Sequence, residues 1–244
     1  YMWDGQRWRA DAESIIKNKI YNIVGDLAYA KGLAEMRNRI VSQAKVLKFD
    51  ADINIINLKN GRYNWRTGEF IAHNPNDLYP SLIQHPIEYD PNATCPNIDK
   101  IIEKLTPDKL YQQTLKEWAA YCFYRYYLIK KSLIMYGPGG TGKSIYGELL
   151  DNLIGHENSN AISLHDITHG NFAGIGLKGK CRNNCGETPA TEISASNKFK
   201  ALTGRDAIRS DVKYKDAVVF YSFAKIEMML NEVFKTKDKT DAFY

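Results

Sequence analysis

Three features of this 244-residue sequence predict an α/β fold with a parallel sheet flanked by helices. Beyond residue 106, apolar strand-like runs alternate with helical stretches, the pattern of a helix-covered sheet. One such run, Ser132–Tyr136, passes directly into a glycine-rich loop and then a helix over Ile145–Ile154. The composition, 44% hydrophobic and 25% charged, is that of an ordinary globular protein and excludes collagen-like, low-complexity and disordered classes. No apolar run approaches the ~20 residues that cross a bilayer. No signal peptide is recognisable, so an intracellular protein without membrane segments is expected. The chain opens Tyr-Met-Trp-Asp, without an initiator Met, and is expected to be a piece of a longer polypeptide.

Two regions are expected: a mixed one over 1–105 and the α/β core over 106–244. In the first, Ala12–Ile23 and Leu33–Leu47 have helical spacing, with Ile15, Ile16, Ile20 and Ile23 on one stripe. Ile53–Leu58 runs into Asn60-Gly61, a two-residue hairpin signal, and Thr67-Gly68 marks a second reversal, so residues 53–72 read as a small β-meander. Residues 74–97 carry Pro75, Pro80, Pro86, Pro91 and Pro96 and read as an irregular connector, followed by a short helix Asn97–Leu105. Thr106-Pro107-Asp108 then predicts a helix start, with Thr106 as N-cap, running from Pro107 to Leu128. Its aromatic band, Trp118 through Tyr127, could stack bases, but a buried helix is the preferred reading.

The loop after Ser132–Tyr136 is Gly137-Pro138-Gly139-Gly140-Thr141-Gly142-Lys143-Ser144, followed by Ile145. This is the complete G-x-x-x-x-G-K-[ST] phosphate-loop pattern in the strand–loop–helix setting it requires. Glycines let successive backbone N–H groups turn inward around a phosphate, and the helix N-terminus adds positive potential. Lys143 is expected to reach the β- and γ-phosphates and the Ser144 hydroxyl to ligand Mg²⁺. The expected cofactors are therefore ATP and Mg²⁺. A phosphate loop alone does not name a reaction. Further candidates follow in order: Glu187 after a strand, a lysine-rich segment Lys200–Lys215, and Asn231 closing the apolar strand Ile226–Leu230.

The net charge is +5, from 33 Lys and Arg against 28 Asp and Glu. Residues 178–215 hold nine basic groups against four acids, so this window alone matches the excess of the whole chain. Such a cluster is by default a solvated face. Four cysteines, Cys95, Cys122, Cys181 and Cys185, are too few and scattered for a disulfide framework and suit a reducing compartment. His165, His169, Cys181 and Cys185 have the ligand types of a structural zinc site. Their three-residue Cys spacing and the strand expected there favour core cysteines and polar-loop histidines instead.

The ordered set of motifs resembles the superfamily 3 helicases, of AAA+ type, in the primase–helicase proteins of phages, plasmids and large DNA viruses. The order there is phosphate loop, acidic B motif, lysine-bearing DNA hairpin, then a C motif ending in a sensor Asn. Ile55-Ile56-Asn57-Leu58 with Asn60-Gly61, Thr67-Gly68 and Tyr89–Pro96 resembles the pre-helicase region of that family. The resemblance implies a P-loop NTPase core, with Glu187 as the acid that assists metal and water and Asn231 as γ-phosphate sensor. It implies single-stranded DNA contacts from Lys213 and Tyr214 at a hairpin tip, with Lys200, Arg209 and Lys215 alongside. It also implies a homo-oligomeric ring, hexameric in the family, and a primase module upstream. Departures are Gly186 where a second acid is usual, the polar Asn183 and Asn184, and Phe234 where a Pro is common. An arginine finger is expected beyond Tyr244. The function expected is an ATP-dependent single-stranded DNA translocase and helicase in replication of a mobile element or virus. The alternative is a nucleotide-switched scaffold or loader that does not unwind. A small-molecule phosphotransferase explains neither the basic window nor Asn231.

Overall fold

The computed structural model describes residues 1–10, 12–25, 30–43, 48–77, 80–170, 173–187 and 196–231. Phe234, named among the departures above, lies outside the described residues. The chain divides into two compact units, Tyr1–Gln84 and His85–Tyr244.

The first unit opens with a short antiparallel ribbon, β1 (Met2–Trp3) and β2 (Trp8–Arg9), whose turn is closed by the Asp4 carboxylate accepting from Gln6 N and Arg7 N. Helices α1 (Ala12–Val24) and α2 (Ala30–Gln43) follow; α2 begins three residues ahead of the expected Leu33, and residues 44–47 of that expected helix lie outside the described residues. A three-stranded antiparallel meander, β3 (Ile55–Leu58), β4 (Gly61–Asn64) and β5 (Glu69–Ile71), then occupies the expected 53–72. The first reversal differs by one residue from the Asn60-Gly61 expectation. Leu58 pairs with Gly61, so Lys59 and Asn60 form the turn and Gly61 belongs to the strand. Glycine is required there for close approach, because a Cβ would lie 2.5 Å from Cζ of Phe70 and 2.7 Å from the Ile71 carbonyl.

In the second unit α3 (Pro96–Leu105) and α4 (Lys109–Phe123) precede the sheet. The start of α4 is a correction: Asp108, not Thr106, is the N-cap, its carboxylate accepting from Leu110 N and Tyr111 N, while Thr106 caps the end of α3. The end is a correction too. The helix stops at Phe123, and the backbone of Tyr124–Tyr127 turns away because its carbonyls find another partner. The buried ammonium of Lys225 donates to the carbonyls of Tyr124, Tyr126 and Phe223 and sits 4.4 Å from the Tyr121 ring centre. Of the aromatic band, Trp118 and Tyr127 are buried, Tyr121, Phe123 and Tyr124 are half-buried and Tyr126 is exposed, so the band is covered only in part and the fully buried helix expected there is not found.

The sheet is parallel and four-stranded in the order β6 (Leu133–Tyr136), β11 (Lys225–Leu230), β8 (Arg182–Glu187), β7 (Ser159–Asn160). From β6 the chain runs through α5 (Lys143–Ile154) to the far edge at β7, and only its last described strand inserts beside β6. Helices α4 and α5 cover one face. Trp118 Nε1 donates to Glu227 Oε1 at 2.9 Å, and Tyr146 Oη donates to the Leu115 carbonyl at 2.7 Å. The opposite face packs Ile226, Met228 and Leu230 against Leu164 and Ile167 of α6 (Leu164–His169) and Phe199 and Leu202 of α7 (Ser196–Gly204). A separate antiparallel hairpin, β9 (Ala207–Val212) and β10 (Lys215–Tyr221), lies between α7 and β11 in the chain and adds Phe220 to that core. The α/β architecture with a parallel sheet is thus present as expected.

The boundary between the units falls at Gln84/His85, ahead of the 105/106 expected from the helix start. His85 explains the difference. It is 2% exposed, bonds the Ile154 carbonyl at the end of α5 through Nδ1 at 2.8 Å, and meets Phe123 edge-on. A connector rich in proline reads as a linker in sequence, yet one buried polar anchor assigns its second half to the core.

Burial lowers the His85 pKa to about 4, with the nearby Arg125 adding to the effect. The neutral ring, Nδ1–H donating, is the folded form. Between pH 6.5 and 4 the unfolded chain therefore binds a proton that the folded one does not, and stability falls as pH drops through this window. The loss at pH 4 is about 3 kcal/mol. Denaturant melts over pH 4–7 should show this slope, and His85→Asn, which keeps a donor without titrating, should remove it.

Candidate functional site

The carboxyl ends of β6, β11 and β8 lie on one edge of the sheet, where ligands sit in open α/β proteins. Each of these ends carries a residue singled out in the sequence. The β6 end passes into Gly137–Ser144, the β11 end into Asn231, and β8 finishes on Glu187. The Gly137 amide donates to the Leu230 carbonyl at 3.1 Å, tying the loop to β11. Gly140 (φ 78°) and Gly142 (φ 91°), the N-cap of α5, take left-handed dihedrals, which is why glycine is needed there. The loop therefore curls onto the first turn of α5, leaving Ser144 and Ile145 exposed at that turn.

Lys143 lies across the loop. Its ammonium donates to the carbonyls of Gly137 (2.6 Å) and Pro138 (2.9 Å) and to Thr141 Oγ1 (3.4 Å). It also donates to Asn231 Oδ1 at 3.1 Å, and Asn231 Nδ2 donates to Glu187 Oε1 at 3.3 Å. The amide orientation is set by its two neighbours, since a cation requires the oxygen and a carboxylate the nitrogen. Lys143, Asn231 and Glu187, distant in sequence, are joined in one hydrogen-bonded chain. Ser144 and Glu187 offer only oxygen donors, which fit a hard cation such as Mg²⁺.

The hairpin β9–β10 places the other candidates. Val212 pairs with Lys215, leaving Lys213 and Tyr214 as the two-residue tip, and Tyr214 is fully exposed with φ 61°. An aromatic in the left-handed region with nothing covering it is an outlier of the kind that clusters at binding sites. Arg209 points outward from β9, opposite Val219. Lys215 begins β10, and its side chain lies outside what is described. Lys200 is not on the hairpin; it is half-buried on α7. Exposed Tyr221 (70%) and Val219 (63%) share the outer face with Arg209, and sequence reasoning missed them. Their signal is the strand's alternation, which puts Val218 and Phe220 inward and these two outward.

Sequence reasoning also missed the charges behind the site. Arg182 and Glu227 are fully buried on adjacent strands, joined by two guanidinium–carboxylate hydrogen bonds. Arg182 also pairs with Asp151 of α5 and donates to the Gly147 carbonyl. The visible hint was a lone Glu inside the apolar run Ile226–Leu230. The zinc reading finds no support in the placement of its residues. His165 and His169 stack on one short helix, 4.6 Å between ring centres. Cys181 and Cys185 are buried, burial pushing the Cys185 thiol up to about 12. Among the described residues no group of three or more His, Cys, Asp or Glu side chains is gathered for a metal. Nor, among them, is any helix long and apolar enough to cross a membrane.

Two known families match parts of the chain. Residues 1–107 match the family described as D5 N terminal like, and residues 135–242 match a family of unknown function, DUF5906. Among solved structures the apo A form of the NrS-1 C-terminal region is similar, with 15% identity and a TM-score of 0.58, over 92% of this chain and 49% of that one. Another apo structure of the same region matches with 20% identity and a TM-score of 0.51, over 63% of this chain and 38% of that one. At these identities the likeness is one of fold, and this chain spans about half the length of the first structure. No curated protein matches the sequence.

The buried pair yields a stability test. Glu227→Gln leaves the Arg182 guanidinium short of a buried counter-charge and should destabilise the protein by roughly 3 kcal/mol in urea melts. Replacing both partners with Met should cost less than that single change, because no orphan charge remains.

Proposed function

We propose that the chain is the ATP-hydrolysing part of a single-stranded DNA translocase, a replication helicase of a phage, plasmid or viral element. The observation that carries this reading is the hydrogen-bonded chain Lys143–Asn231–Glu187 at the carboxyl ends of three parallel strands. In this reading the backbone N–H groups of Gly139–Ser144 hold phosphate oxygens. Lys143 leaves the loop carbonyls for the β- and γ-phosphates. Ser144 and Glu187 would hold Mg²⁺, which when bound would supply charge neutralisation at the phosphates. Glu187 orients the attacking water and accepts its proton as the bond to the γ-phosphorus breaks. Asn231 touches both groups, so it suits a sensor that reports the γ-phosphate to Glu187.

The match of residues 1–107 to the D5 N-terminal-like family agrees with the pre-helicase region implied by the resemblance. DNA is assigned to the hairpin: Lys213 to the sugar-phosphate backbone, Tyr214 to a base or sugar, with Arg209 and Tyr221 on the exposed face. Lys200 and Lys215 would contribute charge only. Assembly as a homo-oligomeric ring, a hexamer by resemblance, completes this reading, with a primase module upstream. A second reading, a scaffold that binds ATP and loads partners without unwinding, is favoured by the single acid at Glu187.

Three measurements test the assignment. Lys143→Ala should abolish nucleotide binding in a fluorescent-ATP titration. Added single-stranded DNA should raise ATPase activity, and Lys213→Ala should remove that stimulation while leaving nucleotide binding intact. The same variant should reduce the slope of log affinity against log salt by about 1. Unchanged stimulation in Lys213→Ala would remove the hairpin from the DNA path. ATP binding without strand displacement would favour the scaffold.

A further inference from the structure

Side chains in a strand alternate between the two faces of the sheet, and β8 shows which face is which. Arg182 points to α5, where it meets Asp151 and the Gly147 carbonyl. Cys185 points the other way, into the apolar cluster with Leu164 and Phe199. Glu187 lies two residues beyond Cys185, so an unbroken strand would aim it into the apolar-core side, away from Lys143. The pairing with β11 is broken at that point. Asn184 pairs with Glu227, but Glu187 pairs with Met229, so β8 takes three steps while β11 takes two. The extra residue is absorbed at Gly186, whose φ is +64° and whose amide donates to Asn184 Oδ1 at 2.9 Å. This is a β-bulge, and it reverses the alternation. Glu187 consequently shares a face with Met229 and with Asn231 two residues later, whose amide it accepts.

We propose that Gly186 is a positioning residue whose left-handed bulge carries the Glu187 carboxylate from the apolar-core face of the sheet to the face of Lys143 and Asn231. The proposal rests on reading Glu187 as the acid of an ATP site. Space is not the constraint at 186, since a Cβ there would meet nothing within 4 Å. The dihedral is the constraint. Asn tolerates the left-handed region, Ala enters it at a cost, and a β-branched Val resists it strongly.

The test reads geometry first and activity second. In a chain carrying Cys95→Ser, Glu187→Cys and Asn231→Cys, a short bismaleimide should link the two new thiols. The remaining cysteines, Cys122, Cys181 and Cys185, are buried. Adding Gly186→Val should slow the intramolecular link at least about tenfold, and Gly186→Asn should leave it within about twofold. Equal rates in all three backgrounds, or equal slowing by Val and Asn, would overturn the proposal. If Val prevents folding, Gly186→Ala takes its place, with slowing expected and an unchanged rate overturning the idea. With native Glu187 and Asn231, Gly186→Val should lower kcat for ATP by about 100-fold at unchanged nucleotide affinity, with rescue by Asn. Unimpaired hydrolysis in Val would also overturn the proposal. Cross-linking that behaves as expected in a protein whose wild type does not hydrolyse ATP would leave the bulge standing and remove the ATPase reading.

Discussion

The ion pair between Arg182 and Glu227 lies at the centre of the α/β unit, and much of the rest is arranged around it. Both groups are fully buried, and their desolvation is offset by a dense set of partners: Asp151, the Gly147 carbonyl and Trp118 Nε1. These partners come from α4 and α5 while the pair itself lies on β8 and β11, so one cluster holds two helices against two strands. A slip of β11 against β8 would separate the charges and flip the side chains of the moving strand. The pairing therefore aligns the two strand ends that carry Glu187 and Asn231.

A second buried cation does related work at the other end of β11. Lys225 gathers the carbonyls of Tyr124, Tyr126 and Phe223, so the segment between α4 and β6 is tied to the beginning of the central strand. Burial lowers its pKa to about 8, but its three carbonyl acceptors and the Tyr121 ring accommodate the charged form. With β6 anchored before the strand and Gly137 N bonded to Leu230 O after it, the glycine loop is fixed beside Asn231.

What could be read in the sequence follows the range of the interactions involved. The strand–loop–helix around Gly137–Ser144 was legible because glycine dihedrals and the helix start are local. The meander over 53–72 was legible for the same reason, apart from its first turn. There Gly61 reads as a turn glycine, whereas its actual role is to let the Phe70 ring approach from the next strand. Thr106-Pro107 signals a helix start, yet Asp108 is the residue whose carboxylate reaches two amides. The aromatic run after Trp118 suggested a helix to Leu128, because nothing nearby shows that Lys225, about a hundred residues later, captures those carbonyls. His85 likewise belongs to the core through a bond to Ile154 that no local pattern records.

From the sequence alone came the identity and order of the candidate groups: a glycine loop with Lys143 and Ser144, an acid at Glu187, a lysine and tyrosine at 213 and 214, and an amide at Asn231. Residue type and spacing suffice for that, since backbone curling, charge and oxygen donors are properties of the residues themselves. Only the tertiary structure decided whether these groups meet. Inserting the last described strand between β6 and β8 puts Asn231 between Lys143 and Glu187. A single left-handed glycine turns Glu187 to the same face. Strand order and face depend on contacts across the fold and on one dihedral angle. Gly186, which in sequence reads as a missing acid, is in the structure the residue that points the remaining acid at the site.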